Sequence, residues 1–326
     1  MYFAQPRIKS SKHMKRILLS LLALAAALGA TAATAGKQTL LYAVKDADSL
    51  FLDHYVADVE GQRPCMIFVF GGGFAGGERD NKQYIPYFEF MNDHGYDVVS
   101  IDYRLGLKDV SGAGDMSVRE MVTLFNKSVR MAVEDLFSAT LFVLGKADEW
   151  DIDPHMIVTC GSSAGAITVL QAENALCNRS DTAEVMPEDF DYAGVVSFAG
   201  AVFSVDGAPE WNRCPAPVMM FHGSADNQVP FEKASVFGVG FYGSKFLVKQ
   251  FDKRQWPYWF YTVEYQNHSM AVTPMRDNRY EILAFLEQMV RDRRPMQAVT
   301  EVRSEDFPPC KTRFKVMDYV RANYAR

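Results

Sequence analysis

Residues 156–176 read MIVTCGSSAGAITVLQAENAL. Met156–Cys160 is a short apolar run with β-branched members, the pattern of a strand buried on both faces. From Ala164 to Leu176 the chain reads as a helix, with apolar residues along its length. Between them, Gly161-Ser162-Ser163-Ala164-Gly165 fits G-x-S-x-G, and it sits where a strand passes at once into a helix. The turn is strained, and small flanking residues let its backbone pack against neighbours. Ser163 at its centre is then lifted clear of the sheet edge, with Ser162 as the spacer.

Outward from this turn the same alternation repeats. Upstream, Cys65–Phe70 (CMIFVF) is a continuous apolar strand ending in Gly71-Gly72-Gly73, followed by a helix over Gln83–Asn92 and a strand over Asp97–Tyr103. A long helix spans Ser117–Leu144, with Val118, Met121, Val122, Phe125, Val129, Ala132, Val133, Leu136 and Phe137 at helical spacing. Downstream, Tyr192–Ala199, Val218–Phe221 and Trp259–Tyr265 read as strands and Arg279–Arg291 as a closing helix. Two β-like runs, Thr39–Val44 and Ser49–Val56, open the region with hairpin spacing. The expected fold class is α/β: a mostly parallel central sheet with helices on both faces. It occupies residues 36–303 as one domain, and 304–326 is a tail read as helical and packed on the core through Phe314, Met317 and Val320.

Composition narrows the function classes. With 48% hydrophobic and 23% charged residues the 326-residue chain has ample core and does not read as disordered. Lys plus Arg number 34 against 40 acids, for a net charge of -6, and no basic stripe interrupts the sequence, so no nucleic acid is expected as a partner.

Residues 1–35 stand apart. After an upstream extension (1–13), Lys15 and Arg16 precede an apolar stretch, Ile17–Leu28, broken only by Ser20, and Ala33-Thr34-Ala35 makes an A-x-A site. A span needs about 20 apolar residues, so this reads as a cleaved secretory signal rather than an anchor. Its removal takes away five basic and no acidic residues, leaving 291 residues with a net charge of -11. A periplasmic or secreted location follows, with no stable membrane anchor. Of five cysteines, Cys65 and Cys160 read as buried, and Cys177 and Cys214 could form one disulfide.

Two further glycine motifs fit G-x-G-x-x-G. Gly238–Gly243 follows no convincing strand and reads as a loop. Gly71–Gly76 follows a strand, but the next helix begins near Gln83 instead of within the glycines, which argues against a dinucleotide site. Consecutive glycines after a strand suit an oxyanion loop better, since Gly72 and Gly73 can turn amides toward developing charge, with the Ala164 amide as a third donor.

A nucleophilic Ser163 needs a base, and the base an orienting acid. Only His222 and His268 follow it. His222 ends a strand in FHGSADNQVP, where a turn role is natural, and Asp226 lies four residues on. His268 follows the strand Trp259–Tyr265. Ser163, Asp226 and His268 each follow a strand, so all three come to one edge of a parallel sheet. Glu264 is the fallback acid. No His or Cys pair has zinc-ligand spacing, and no metal or cofactor is expected.

With these residues in order, the sequence resembles the α/β-hydrolases of the carboxylesterase and hormone-sensitive-lipase-like type, especially compact bacterial esterases of small or carbohydrate-linked esters. The resemblance runs from about Val69 to Met270 through Phe70-Gly-Gly-Gly-Phe74, Asp102-Tyr-Arg-Leu105, Gly161–Gly165, His222-Gly-Ser-Ala-Asp226 and His268. Two positions depart from the pattern: Phe70 stands where the family has a loop-bracing His, and Ala166 where it has a second Gly. The resemblance implies serine-dependent ester hydrolysis through an acyl-enzyme. A peptidase or amidase on the same triad, a non-catalytic binding protein on this scaffold and, remotely, a nicotinamide-dependent dehydrogenase are the alternatives. Pocket or lid material is expected in Gly106–Met116, Asn178–Phe190 and Phe203–Arg213, with Trp256 and Trp259 either lining a wall or packed in the core.

Overall fold

A computed structural model describes residues 37–108, 110, 116–315 and 318. From Gln38 onward the described residues form one compact unit. The segment 1–35 and Met317 and Val320 of the tail lie outside the described residues.

Twelve strands are described: β1 (Lys37–Lys45), β2 (Asp48–Tyr55), β3 (Arg63–Val69), β4 (Asp97–Ile101), β5 (Ile152–Ser162), β6 (Gly194–Phe198), β7 (Ala201–Ser204), β8 (Val218–Gly223), β9 (Lys233–Val236), β10 (Val239–Gly243), β11 (Tyr258–Val263) and β12 (Gln297–Val302). Nine of them form one sheet in the order β1-β2-β4-β3-β5-β6-β8-β11-β12. β2 is antiparallel to β4, and from β4 to β12 every pairing is parallel. Strands β3, β4, β6 and β8 are buried along almost their whole length, as expected of a sheet covered on both faces.

The helices are α1 (Ile85–Asp93), α2 (Val118–Trp150), α3 (Ala164–Asn178), α4 (Ser244–Lys253), α5 (Pro274–Asp277) and α6 (Arg279–Phe285). A capping box starts α2: the Ser117 side chain accepts from the Glu120 amide, and Glu120 accepts from the Ser117 amide. The helix runs six residues past its expected end at Leu144. Gly145 does not break it because Val143, Ala147 and Trp150 continue the buried stripe.

Several expectations are corrected. Gly238–Gly243 is not a loop: Val239–Gly243 is β10, the centre of a second, antiparallel sheet, β7-β10-β9. The closing helix is α6 continued by a π-helical turn, Leu286–Arg291, that buries Leu286, Met289 and Val290. Ser304–Lys315 is not helical, although Phe307 and Phe314 pack against the core. Cys177 and Cys214 do not form a disulfide. Cys177 is buried on α3, where its thiol donates to Glu173, and Cys214 is exposed in the loop before β8. Cys65 and Cys160 are fully buried, as read from the sequence.

Candidate active site

In a parallel sheet all strands deliver their carboxyl ends to one edge, and register decides which loops meet there. Val69 of β3 pairs with Gly161 of β5, Ser162 with Phe198 of β6, Phe198 with Phe221 of β8, and Gly223 with Val263 of β11. The glycine loop, the serine turn, and the loops bearing Asp226 and His268 therefore leave the sheet at the same level.

Ser163 is held at φ 52°, ψ -112°, a strained conformation for a non-glycine residue, as the residue before α3. Its amide donates to Phe198 O at 2.9 Å. The glycines around it are there for close approach. A Cβ on Gly165 would stand 2.0 Å from Val69 O, and one on Gly161 2.3 Å from Gly165 O. Ala166, the departure from the usual second glycine, packs against Gly200, which supplies the missing room: a Cβ there would meet the Ala166 methyl at 2.9 Å.

Ser163 Oγ lies 2.8 Å from His268 Nε2, and His268 Nδ1 lies 2.7 Å from Asp226 Oδ2. A carboxylate only accepts, so Nδ1 carries the imidazole proton and Nε2 is free to accept from Ser163. His268 opens a 3₁₀ turn, His268–Ala271, capped by Asn267, whose side chain accepts from the Ser269 amide. The Asp226 and His268 loops are tied together: Ala225 N donates to Gln266 O, and the Tyr265 amide donates to Ser224 Oγ.

Asp226 is 3% exposed. Burial alone would raise its carboxyl, but hydrogen bonds with His222 and His268 outweigh that and hold it well below the usual range. Oδ1 also accepts from the amides of Gln228 (2.8 Å) and Val229 (2.9 Å). The sequence placed His222 in a turn. Instead β8 carries it into the fully buried interior, with Nε2 3.3 Å from Asp226 Oδ2. The fallback acid Glu264 points elsewhere, pairing with Arg303 at 3.1 Å.

Beside the serine turn, Gly72 (φ 131°), Gly73 (φ 64°) and Phe74 (φ 60°) make three successive residues of positive φ. The Gly72 carbonyl accepts from the amides of Ala75 and Gly76, closing the loop on itself. Among the described residues, the amides of Gly72, Gly73 and Ala164 have no backbone partner. Phe70 fills the place of a bracing histidine by packing: its ring meets Tyr103 with centroids 4.5 Å apart, and the Tyr103 hydroxyl donates to Phe70 O. Among the described residues, no group of three or more His, Cys, Asp or Glu is placed to hold a metal ion.

Two of the expected lid segments lie largely elsewhere. Helix α3 leads away from the site for 15 residues, about 22 Å, so Asn178–Phe190 begins at its remote end. Pro187 and Phe190 line a cleft with Pro154, Pro217 and Pro257, near the starts of β5, β8 and β11. Residues 210–212 are bound to that same helix end through Asn174 and Asn178. Trp259 bonds Thr300 of β12, and Trp256 packs on Phe251. Most of Gly106–Met116 lies outside the described residues.

Sequence reasoning also missed Ser162. Its hydroxyl donates to Ala271 O at 2.8 Å, joining the serine turn to the histidine turn.

Comparison with known proteins agrees with this architecture. Residues 52–203 match the BD-FAE family. No curated protein matches the sequence. Among solved structures, esterase 2 of Thermogutta terrifontis phosphoramylated by tabun is similar at 22% identity and TM-score 0.59, over 78% of this chain and 95% of that one. The apo form gives 23%, 0.57, 78% and 95%, and the propionate-bound form 21%, 0.57, 78% and 94%. The chain has the α/β-hydrolase fold.

Proposed function

We propose that this protein is a serine hydrolase of carboxylic esters, with short-chain or carbohydrate-linked esters as substrates. The observation that carries this reading is the continuous relay from Ser163 Oγ to His268 to Asp226, at 2.8 and 2.7 Å. His268 takes the Ser163 proton as the oxygen attacks the ester carbonyl, and Asp226 orients the imidazole and stabilises its charged form. The amides of Gly72, Gly73 and Ala164 receive the oxyanion. His268 then protonates the leaving alcohol, and water, activated by the same imidazole, releases the acid.

Buried aromatic rings pack behind the glycine loop. Phe74, directly after Gly73, meets Phe125 edge-on at 5.4 Å, and Phe125 meets Phe203 at 4.8 Å and Phe241 at 5.1 Å. The similar thermophilic esterase is described with propionate and with butyrate bound, which supports the same chain length here.

The test is fluorophosphonate labelling of the wild type and Ser163→Ala, together with an ester panel graded by acyl length and including acetylated and feruloylated sugars. The expected result is labelling of the wild type alone and fastest turnover of short acyl groups. Equal labelling of both proteins would overturn the proposal. The charged start, short apolar stretch and A-x-A of residues 15–35 support export, which a mature N-terminus at Gly36 in protein recovered from the native host would establish and an uncut chain would refute.

A further inference from the structure

We propose that His222 is a positioning residue for Asp226: held in one tautomer by Ser244, it turns a proton shared with the Val229 carbonyl toward the carboxylate oxygen that serves His268. The inference rests on the reading of Ser163, Asp226 and His268 as a catalytic triad.

The argument is an accounting of donors and acceptors. His222 Nε2 faces Val229 O at 3.2 Å and Asp226 Oδ2 at 3.3 Å. Both groups only accept, so Nε2 carries a proton. His222 Nδ1 faces Ser244 Oγ at 2.8 Å. In the neutral imidazole Nδ1 must then accept, and Ser244, the first residue of α4, turns its one hydroxyl proton to Nδ1 at 2.8 Å in preference to its other acceptor, Gly200 O, at 3.3 Å. This arrangement avoids a second buried cation beside the imidazolium that His268 becomes during turnover.

The consequence falls on Asp226. A carboxylate has about four acceptor sites, and here both oxygens face donors. Oδ1 takes the amides of Gln228 and Val229, Oδ2 takes His268, and the His222 Nε2–H shared with Val229 O faces Oδ2 at 3.3 Å. With donors on both oxygens the carboxylate cannot rotate away from His268. Sharing Oδ2 with a neutral donor also weakens its stabilisation of the charged imidazole, so His268 passes its Nε2 proton to the leaving alcohol more readily.

The groups around His222 are few. Asp226 is the ionisable side chain in hydrogen-bond contact with it among the described residues. Phe231 lies edge-on at 5.6 Å, and Thr262 of β11 is its register partner. On α4, Lys245 follows Ser244 and lies over the Phe231 ring at 5.3 Å.

The test compares full-length wild type, His222→Leu and His222→Gln, whose amide N–H can reach the place of Nε2–H, on p-nitrophenyl acetate across the pH range. For His222→Leu we expect kcat to fall about 10- to 100-fold with KM within about twofold, and the acid limb of kcat/KM to move up by about half a pH unit. His222→Gln should restore most of both. An unmoved limb in folded His222→Leu, or a His222→Gln that behaves like the leucine variant, would overturn the inference. Should the leucine variant not fold, Ser244→Ala carries the test: a limb shifted the same way supports the tautomer lock, and a wild-type profile refutes it. Ser163→Ala, assayed alongside, separates the two readings. Surviving activity there removes the triad itself, whereas a dead Ser163→Ala beside an unmoved limb removes only the role of His222.

Discussion

Ser162 Oγ donates to Ala271 O at 2.8 Å, a bond between residues 109 apart in sequence. Ser162 precedes Ser163 and Ala271 ends the turn that His268 begins, so this bond ties the serine turn to the histidine turn. Replacing Ser162 by Ala leaves a buried carbonyl without its donor, at a cost of about 1–3 kcal/mol. We expect Ser162→Ala to melt at lower denaturant concentration and to lose kcat more than it gains KM. Steady-state kinetics beside urea unfolding would check this, and unchanged values of both would contradict it.

A second prediction concerns Glu173, buried on α3. Oε1 accepts from the Ala216 amide at 2.8 Å and from Cys177, while Oε2 has no partner among the described residues. Burial pushes its carboxyl up to about 7, against the opposing effect of the Ala216 bond. The folded state thus holds this proton more tightly than the unfolded chain, whose glutamates titrate at about 4.3. Stability should fall as pH rises from that value through about 7, by an order-of-magnitude 3 kcal/mol, and level off above. Glu173→Gln removes this slope, so the variant gains on the wild type between pH 5 and pH 8. Urea melts at four pH values would show it, and parallel curves would count against it.

Asp97 behaves in the opposite sense. It is fully buried at the start of β4, bonded by His54 Nε2 at 2.7 Å, Arg63 Nε at 2.8 Å and the Ala57 amide at 2.9 Å. Burial tends to raise its carboxyl, but these bonds prevail and lower it. Its contribution is therefore complete above the unfolded value of about 3.9 and is lost as pH falls through the lower folded value. Asp97→Asn leaves Arg63 without its buried partner and should cost about 3–5 kcal/mol near neutral pH. The gap to wild type should narrow on acidification, which acid titration of both proteins by circular dichroism would reveal.

Much of the fold was legible because its signals are local. Strand β5, the turn at Ser163 and helix α3 are contiguous, and a strained turn of this kind demands small residues at fixed spacing. The buried parallel strands announced themselves as continuous apolar runs. Strands β7, β9 and β10 did not. They are four or five residues long and owe their order to cross-strand partners, as Gly240 at φ 145° illustrates. Cys177 was misread for a related reason: nothing in its sequence neighbourhood says that Glu173, one helical turn earlier, is buried with it.

The sequence by itself determined the alternation of strands and helices, the serine on its turn, and the chain order in which an acid and a histidine follow. Those features depend on residues next to one another. The choice of His268 over His222 was also made from the sequence; only the tertiary structure decided that His222, read as a turn residue, stands buried behind Asp226, and that Glu264 turns to Arg303. His222 lies within β8 and His268 in the turn after β11, and local pattern does not say what either imidazole meets. What separates them is strand order and register, set by packing between segments tens of residues apart, which places one imidazole at the edge of the sheet and the other beneath the carboxylate.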